Sequence, residues 1–343
     1  MRIATLATSS LAFVLTWAGA AQVQSTPAPE GHISGPVTYE NIAVYFIHGT
    51  SKSGPAPLTL AEALAARTVE VRETGTVNEL QIENLGSRPV FVQAGDVVKG
   101  GKQDRTLMMS LLLPPKSGRI PIASFCVEHG RWSPRGAEDA AKFSTSTASV
   151  PSREMKLAMQ APTPVASYRG ADIGERQKKV WEGVQLAQER LAAAASIDVR
   201  APASATSLQL ALENKKLVEM RSAYVAVLKA AGEADDDIVG YVFAVNGKLN
   251  SAEIYESNGL FRKMWPKLLD ASATEAISHR NDPAAAPPPA ASATAFLGAA
   301  DSAATSEQSL NFGVRRITRE SDKELLFETA LANGWVHRSY LAK

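Results

Sequence analysis

Apolar and polar residues alternate along the first part of the chain. Ile42, Val44 and Phe46 occupy every second position, which is the period of a β-strand. Further strand patterns cover residues 69–71, 79–83, 90–92, 107–113 and 120–127. One short helix interrupts them at Thr59, where Glu62 three residues later completes a capping box. Residues 39–132 are therefore predicted to form an antiparallel β module.

The middle of the chain has the period of an α-helix instead. Apolar residues recur every three or four positions over 180–191, and again over 217–227. An Ala/Ser/Pro stretch near residues 201–206 separates the two patterns. We predict a helical insert over residues 170–232, with two amphipathic helices that pack on the β module.

Two Asn-Gly pairs mark β-hairpins. Asn246-Gly247 and Asn333-Gly334 each lie between two apolar runs, and this dipeptide is the strongest short-range signal for a two-residue hairpin turn. An aromatic-rich helix that Pro266 could bend follows the first pair, so residues 238–280 are predicted to form a hairpin plus a helix. Residues 309–343 are predicted to form C-terminal strands that return to the main sheet.

Two segments carry too few large apolar residues to bury a core. Residues 21–38 are expected to be a flexible leader, and residues 282–306, rich in Ala, Pro, Ser and Thr, a disordered linker. The predicted fold class is α+β, an antiparallel β-rich module with a helical insert and a C-terminal hairpin returning to the sheet. Residues 39–343 would then form one composite domain.

The N-terminus has the features of a cleavable secretory signal peptide. Arg2 supplies a positive charge, an apolar stretch follows over residues 6–17, and Ala18-Gly19-Ala20 matches the A-x-A cleavage pattern. The apolar stretch is shorter than the roughly 20 residues that a membrane span needs. We therefore expect removal of residues 1–20, export to the periplasm or the extracellular space, and no membrane span after cleavage.

Charge and cysteine content narrow the function classes. Loss of residues 1–20 removes one of the 36 basic residues and none of the 35 acidic ones, so the exported chain has no net charge. A neutral chain gives no indication of a nucleic-acid partner. Cys126 is the single cysteine, which excludes an intramolecular disulfide, and the five histidines show no metal-binding pair. We expect no metal site, and the sequence indicates no cofactor.

Two short strings at predicted strand ends are dense in functional groups. The first is Gly100-Gly101-Lys102-Gln103-Asp104-Arg105. Its paired glycines let backbone N–H groups approach a ligand, and its lysine and arginine can neutralise an anion. It lacks the P-loop spacing, so it does not support binding of a nucleoside triphosphate. The alternative interpretation is a glycine bulge between edge strands with solvated charges.

The second string is Cys126-Val127-Glu128-His129-Gly130-Arg131-Trp132. Its thiol and imidazole suggest a nucleophilic dyad, but Cys126 and His129 would point to opposite faces of a strand. A free cysteine commonly behaves as a small buried hydrophobic residue. We therefore expect a structural Cys126, and a His129 that forms hydrogen bonds rather than binding a metal.

These strings also carry a family resemblance. Together with Pro57-Leu58-Thr59-Leu60, Asn246-Gly247-Lys248 and Trp265-Pro266-Lys267-Leu268-Leu269, they resemble the ARG and rhodanese-phosphatase-superfamily-associated protein domain (ARPP-1) over about residues 39–343. His129 stands where the resemblance implies glutamine in many members, which argues against a catalytic base at this position. The resemblance implies a shared fold and a shared pocket, without an established activity.

Three function classes remain open. The first is an exported binding or accessory protein, in which both strings form one pocket for a small anionic ligand. The predicted ligand-binding residues are Gly100, Gly101, Lys102, Gln103, Asp104, Arg105, Glu128, His129, Arg131 and Trp132. The second is a hydrolase acting on a phosphate- or ADP-ribose-type metabolite, with Glu128 or Asp104 as general base. The third is a structural envelope protein. Because exposed ion pairs stabilise little, we expect Arg105 and Arg131 to affect binding more than folding.

The signal-peptide pattern generates one testable prediction. Intact-mass measurement on protein isolated from the cell envelope should give a chain that begins at Ala21, or at Gln22 if the alternative Gly19-Ala20-Ala21 site is used. A mass that includes Met1 would contradict the prediction of a cleaved signal peptide.

Overall fold

The computed structural model describes residues 31–160 and 171–343, apart from the side chains of Thr147, Ala171 and Asp172. The predicted signal peptide and residues 21–30 of the predicted leader lie outside these ranges. Among the described residues, no helix is long and apolar enough to cross a membrane.

The described residues form seventeen strands and seven α-helices. The strands are β1 (Ile33–Tyr39), β2 (Ile42–His48), β3 (Leu58–Thr59), β4 (Val69–Glu73), β5 (Glu79–Asn84), β6 (Val90–Val92), β7 (Asp96–Gly100), β8 (Arg105–Leu107), β9 (Leu111–Leu113), β10 (Gly118–Cys126), β11 (Phe143–Ser149), β12 (Ile238–Val245), β13 (Lys248–Tyr255), β14 (Ala304–Ser309), β15 (Arg315–Glu320), β16 (Glu324–Leu331) and β17 (Gly334–Ala342). The helices are α1 (Leu60–Ala65), α2 (Arg153–Gln160), α3 (Ala171–Ala195), α4 (Leu208–Leu212), α5 (Lys215–Gly232), α6 (Asn258–Ser278) and α7 (Ala290–Asp301).

The largest sheet joins both ends of the described chain to its middle. Its eight strands lie in the order β1-β2-β12-β13-β17-β16-β15-β14, and all neighbours are antiparallel. Both predicted hairpins are confirmed, because β12 pairs with β13 across Asn246-Gly247 and β16 pairs with β17 across Asn333-Gly334. Asn246 and Gly247 both have the positive φ that such a turn requires. The α+β class and the C-terminal hairpin that returns to the sheet are thus confirmed.

The predicted β module divides between sheets. β2 belongs to the large sheet, whereas β11-β7-β8-β10-β5-β4 form a six-stranded sheet and β3-β6-β9 a three-stranded one. The predicted run 107–113 is two strands, β8 and β9, and they lie in different sheets. Alternation of apolar residues identifies a strand but not its partner, since any antiparallel neighbour satisfies the same pattern.

Helices α3, α5 and α6 pack in one core with residues of the large sheet and of the six-stranded sheet. α3 and α5 coincide with the two predicted amphipathic patterns, and α6 runs unbroken through Pro266. Phe46 of β2, Phe125 of β10 and Trp265 of α6 belong to one buried cluster, which is the main core. At α1 the predicted capping box is confirmed, with both of its hydrogen bonds present.

Two predictions of unstructured chain are wrong within the described residues. Residues 33–38 of the predicted leader belong to β1, an edge strand of the large sheet. Residues 290–301 of the predicted linker form α7, and β14 begins at Ala304. These segments need no core of their own, because both add to a sheet that already exists. Few large apolar residues are therefore enough.

Helix α7 covers the outer face of the large sheet. Ala293, Phe296, Leu297 and Ala300 are buried against it at helical spacing, and the Phe296 ring lies 6.3 Å from that of Tyr340. Alanine is the best helix former, so two large apolar residues are enough to anchor a helix that is otherwise small and polar. The amino-acid composition of the segment, on which the linker prediction rested, does not show this spacing.

The packing of α7 contradicts the expectation that this segment is a disordered linker. Phe296→Ala should lower the free energy of unfolding by about 3–5 kcal/mol, because it removes a buried aromatic ring and leaves a cavity. Thr294→Ala, at an exposed position of the same helix, should change it by less than about 0.5 kcal/mol. Urea unfolding of the full chain measures both values. Equal stability of the two variants would contradict the assignment of α7 to the core.

Candidate functional site

The two charged strings lie side by side. Arg105 at the start of β8 pairs with Cys126 at the end of β10, so the residues that precede Arg105 meet those that follow Cys126. The Val127 N–H donates to the Asp104 carbonyl at 3.1 Å, and the Asp104 N–H donates to the Glu128 carboxylate at 3.0 Å. The structure therefore brings the two strings together.

The Asp104 carboxylate is fully buried and accepts hydrogen bonds from three directions. The Gly100 N–H donates at 3.0 Å, the Ser207 hydroxyl at 2.8 Å, and the Arg135 guanidinium through two nitrogens at 2.7 and 2.8 Å. Gly100 and Gly101 both have positive φ, which turns the chain back toward Asp104. The glycine turn thus serves an internal carboxylate.

Glu128 is a second fully buried carboxylate beside Asp104. It accepts a hydrogen bond from Arg131 Nε at 2.7 Å, and Arg135 Nη1 lies 3.6 Å from the same oxygen. Arg131 Nη2 also lies 3.8 Å from Asp104. Asp104, Glu128, Arg131 and Arg135, which we call the buried charge network, therefore pair two carboxylates with two guanidinium groups. Neither arginine side chain is more than 9% exposed.

Burial and pairing affect the pKa values of the network in different directions. Burial raises the pKa of Asp104, and the nearby Glu128 charge raises it further, although the bond from Arg135 opposes both. Burial alone would also raise the pKa of Glu128, but hydrogen bonds from Arg131, Ser204 and the Asp104 N–H outweigh it and lower the pKa. Burial would lower the pKa of Arg135, and its bonds to Asp104 and Glu138 raise it instead. The Arg135 guanidinium therefore remains charged.

Arg105 is not an exposed cation facing a ligand, as the sequence led us to expect. Its side chain is fully buried, and its guanidinium donates to Gln103, to the Cys126 sulfur and to Glu73 at 3.4 Å. Removing it would leave Glu73 with an unpaired buried charge. Arg105 therefore contributes to folding, contrary to the prediction.

Cys126 is a buried free cysteine, as expected. Burial raises the pKa of its thiol to about 11, which leaves almost none of the thiolate that a nucleophile requires. Among the described residues no hydrogen bond joins His129 to the thiol; its ring packs edge-on against Trp181, with ring centroids 4.4 Å apart. This arrangement offers no Cys-His dyad.

Trp132 lies against both Lys102 and Arg105. The Trp132 ring is 43% exposed and lies 5.0 Å from the Lys102 ammonium and 5.4 Å from the Arg105 guanidinium. Within residues 31–160 and 171–343, Lys102 has no carboxylate within ion-pair distance. Its charge is instead placed against an aromatic face, where a cation is attracted by the ring quadrupole.

His129 lies between two cavities. One, of about 640 Å³, is lined by Arg131, Arg135 and residues 203–204 as well as His129. The other, of about 490 Å³, extends along α3 and is lined by Lys178, Trp181, Arg200 and His129 among others. We call these two spaces the His129 cavities. Lys178 and Arg200 are exposed, and neither forms an ion pair with any residue that the structure describes.

The sequence identified only part of this site. Arg135 follows the second string by three residues and is itself followed by a glycine, so extending the string would have included it. Lys178, Trp181 and Arg200 lie about 50 to 70 positions further along the chain and reach His129 only through the packing of α3. No local pattern connects them to the strings.

The family comparison agrees with the resemblance carried by the strings. The model of the ARG and Rhodanese-Phosphatase-superfamily-associated Protein domain matches residues 30–341. No curated protein and no solved structure matches the chain. The matched segment includes both strings, the buried charge network and the residues that line the His129 cavities. The chain therefore belongs to the ARG and Rhodanese-Phosphatase-superfamily-associated Protein domain family (ARPP-1).

Proposed function

We propose that the protein is an exported accessory protein that binds a small anionic ligand in the His129 cavities. Export rests on the signal-peptide pattern of residues 1–20. The observation that carries the binding proposal is the pair of exposed cations, Lys178 and Arg200, in the wall of a cavity that also contains two aromatic rings.

The distribution of charge favours this position over the strings themselves. In the buried charge network each guanidinium is neutralised by a carboxylate, so Arg131 and Arg135 contribute little net attraction for an anion. We call the His129 cavity that extends along α3 the α3 cavity. Glu182 is the one acidic residue in its wall, whereas Lys178 and Arg200 are both basic. The excess positive charge of the site therefore lies in the α3 cavity.

The aromatic rings suit a ligand with a flat part. Trp181 and His129 line the α3 cavity together, and such rings offer apolar area at a low cost in side-chain entropy. Both cavities have volumes within the range of small-molecule sites, about 300–1,000 Å³. A phosphate- or carboxylate-bearing metabolite with a ring or a sugar fits these features.

The geometry supports binding better than hydrolysis by the predicted bases. Both Asp104 and Glu128 are fully buried, and every one of their four oxygens accepts a hydrogen bond from a protein group. A general base needs a free lone pair within reach of the attacking water. Because both side chains are fully buried, neither carboxylate is within reach of solvent water in this conformation.

A matched pair of neighbouring lysines tests the proposal. Binding of ADP-ribose, AMP and ribose 5-phosphate to the full chain is measured by calorimetry at low salt. Lys178→Ala should weaken the bound compound about tenfold, because it removes a charge-assisted contact worth about 1.4 kcal/mol. Lys179→Ala removes an exposed lysine from the same helix that lines neither cavity, and it should leave the affinity within twofold.

Two results would count against the proposal. One is an absence of binding for all three compounds. The other is an equal loss of affinity in both lysine variants, which would mean that only the general charge of the helix attracts the anion.

A further inference from the structure

A separate cavity of about 530 Å³ lies among α1, α4, α5 and α6. It shares no lining residue with the His129 cavities. Much of its wall is apolar, and the residues responsible are Ala61, Ala148, Leu212, Val218, Met264 and Pro266. The volume is within the range of small-molecule sites, about 300–1,000 Å³.

The charged residues in this wall are paired with one another or with neighbours. Lys263 contacts Glu62 at 3.0 Å, Lys267 contacts Asp96, and Glu213 contacts Lys99 at 2.7 Å. The wall itself contains three acidic and three basic residues, so it carries no net charge. A ligand with several negative charges would meet as much repulsion as attraction.

Arg221 is also paired, with Asp270, but one of its nitrogens has no partner among the described residues. It lines the cavity and is only 7% exposed. Its Nε donates to Asp270 at 2.9 Å and its Nη2 donates to the Leu212 carbonyl at 2.8 Å. Its Nη1 is buried and has no hydrogen-bond partner among the described residues. Buried donors in folded proteins are nearly always satisfied, so the two N–H groups of Nη1 call for an acceptor.

We infer that this cavity, which we name the Arg221 pocket, binds a small monocarboxylate with an apolar body. A small shift of the Arg221 side chain would bring Nη1 to a carboxylate oxygen, and the apolar body would contact Leu212, Val218 and Met264. Asp270 already neutralises part of the guanidinium charge, which favours a single negative charge over a phosphate dianion. The inference is independent of the proposed function at the His129 cavities.

Pairs of ligands that differ only in the carboxylate test the role of Arg221. Octanoate and phenylacetate are compared with 1-octanol and 2-phenylethanol by equilibrium binding to the full chain. At least one acid should bind, and at least tenfold more tightly than its alcohol. Arg221→Gln, which keeps a polar group but removes the charge, should abolish that preference. Binding of neither acid, or equal binding of acid and alcohol, would overturn the inference.

Two exposed valines of α5 provide variants with little risk of misfolding. Val218 lines the pocket and is 42% exposed, whereas Val227 is 45% exposed and lies away from the pocket wall. Val218→Phe should fill the pocket and weaken the bound acid at least tenfold, while Val227→Phe should leave its affinity within twofold. The same affinity in both variants would place the bound acid elsewhere and reject the pocket. Lys178 does not line this pocket, so the outcome of the binding test with ADP-ribose, AMP and ribose 5-phosphate is independent of this one.

Discussion

A carboxylate that is removed from water needs partners for its oxygens, and Asp104 obtains them from three separate parts of the chain. The Gly100 N–H comes from the adjacent turn, Arg135 from the loop after β10, and the Ser207 hydroxyl from the N-cap of α4. These contacts join the six-stranded sheet, the loop and the helical insert at one point. Loss of Arg135 would leave the buried Asp104 charge without its closest cation, which proteins tolerate poorly.

The network also determines which surface is available to a ligand. Because Arg131 and Arg135 are held by Glu128 and Asp104, they shape the wall of a cavity without supplying free charge. Thr206 donates to the His129 carbonyl at 2.6 Å, which ties the second string to the loop before α4. His129 is thus held where α3 brings Trp181 to it, and the unpaired cations of the site come from α3 and the following loop.

The Asn-Gly pairs predicted the hairpins, local periodicity predicted the amphipathic helices, and the charged groups at strand ends predicted the contact between the two strings. None of these patterns could predict that Arg105 is buried, since a charged residue at a strand end looks the same whether solvent or Glu73 faces it. Nor could composition identify α7, whose two large apolar residues matter only because the outer face of the sheet is there to receive them. The cavity residues of α3 depend on tertiary packing, which leaves no signal in the spacing of a single sequence.

The account depends most on the coupling between Asp104 and Arg135, and a double-mutant cycle measures that coupling directly. Urea unfolding of the full chain should show that Asp104→Asn and Arg135→Gln each cost about 3 kcal/mol or more, because each leaves a buried partner uncompensated. The double variant should cost at least about 1 kcal/mol less than the sum of the two single variants. Single variants that each cost less than about 1 kcal/mol, with additive effects, would contradict the central role given to the network.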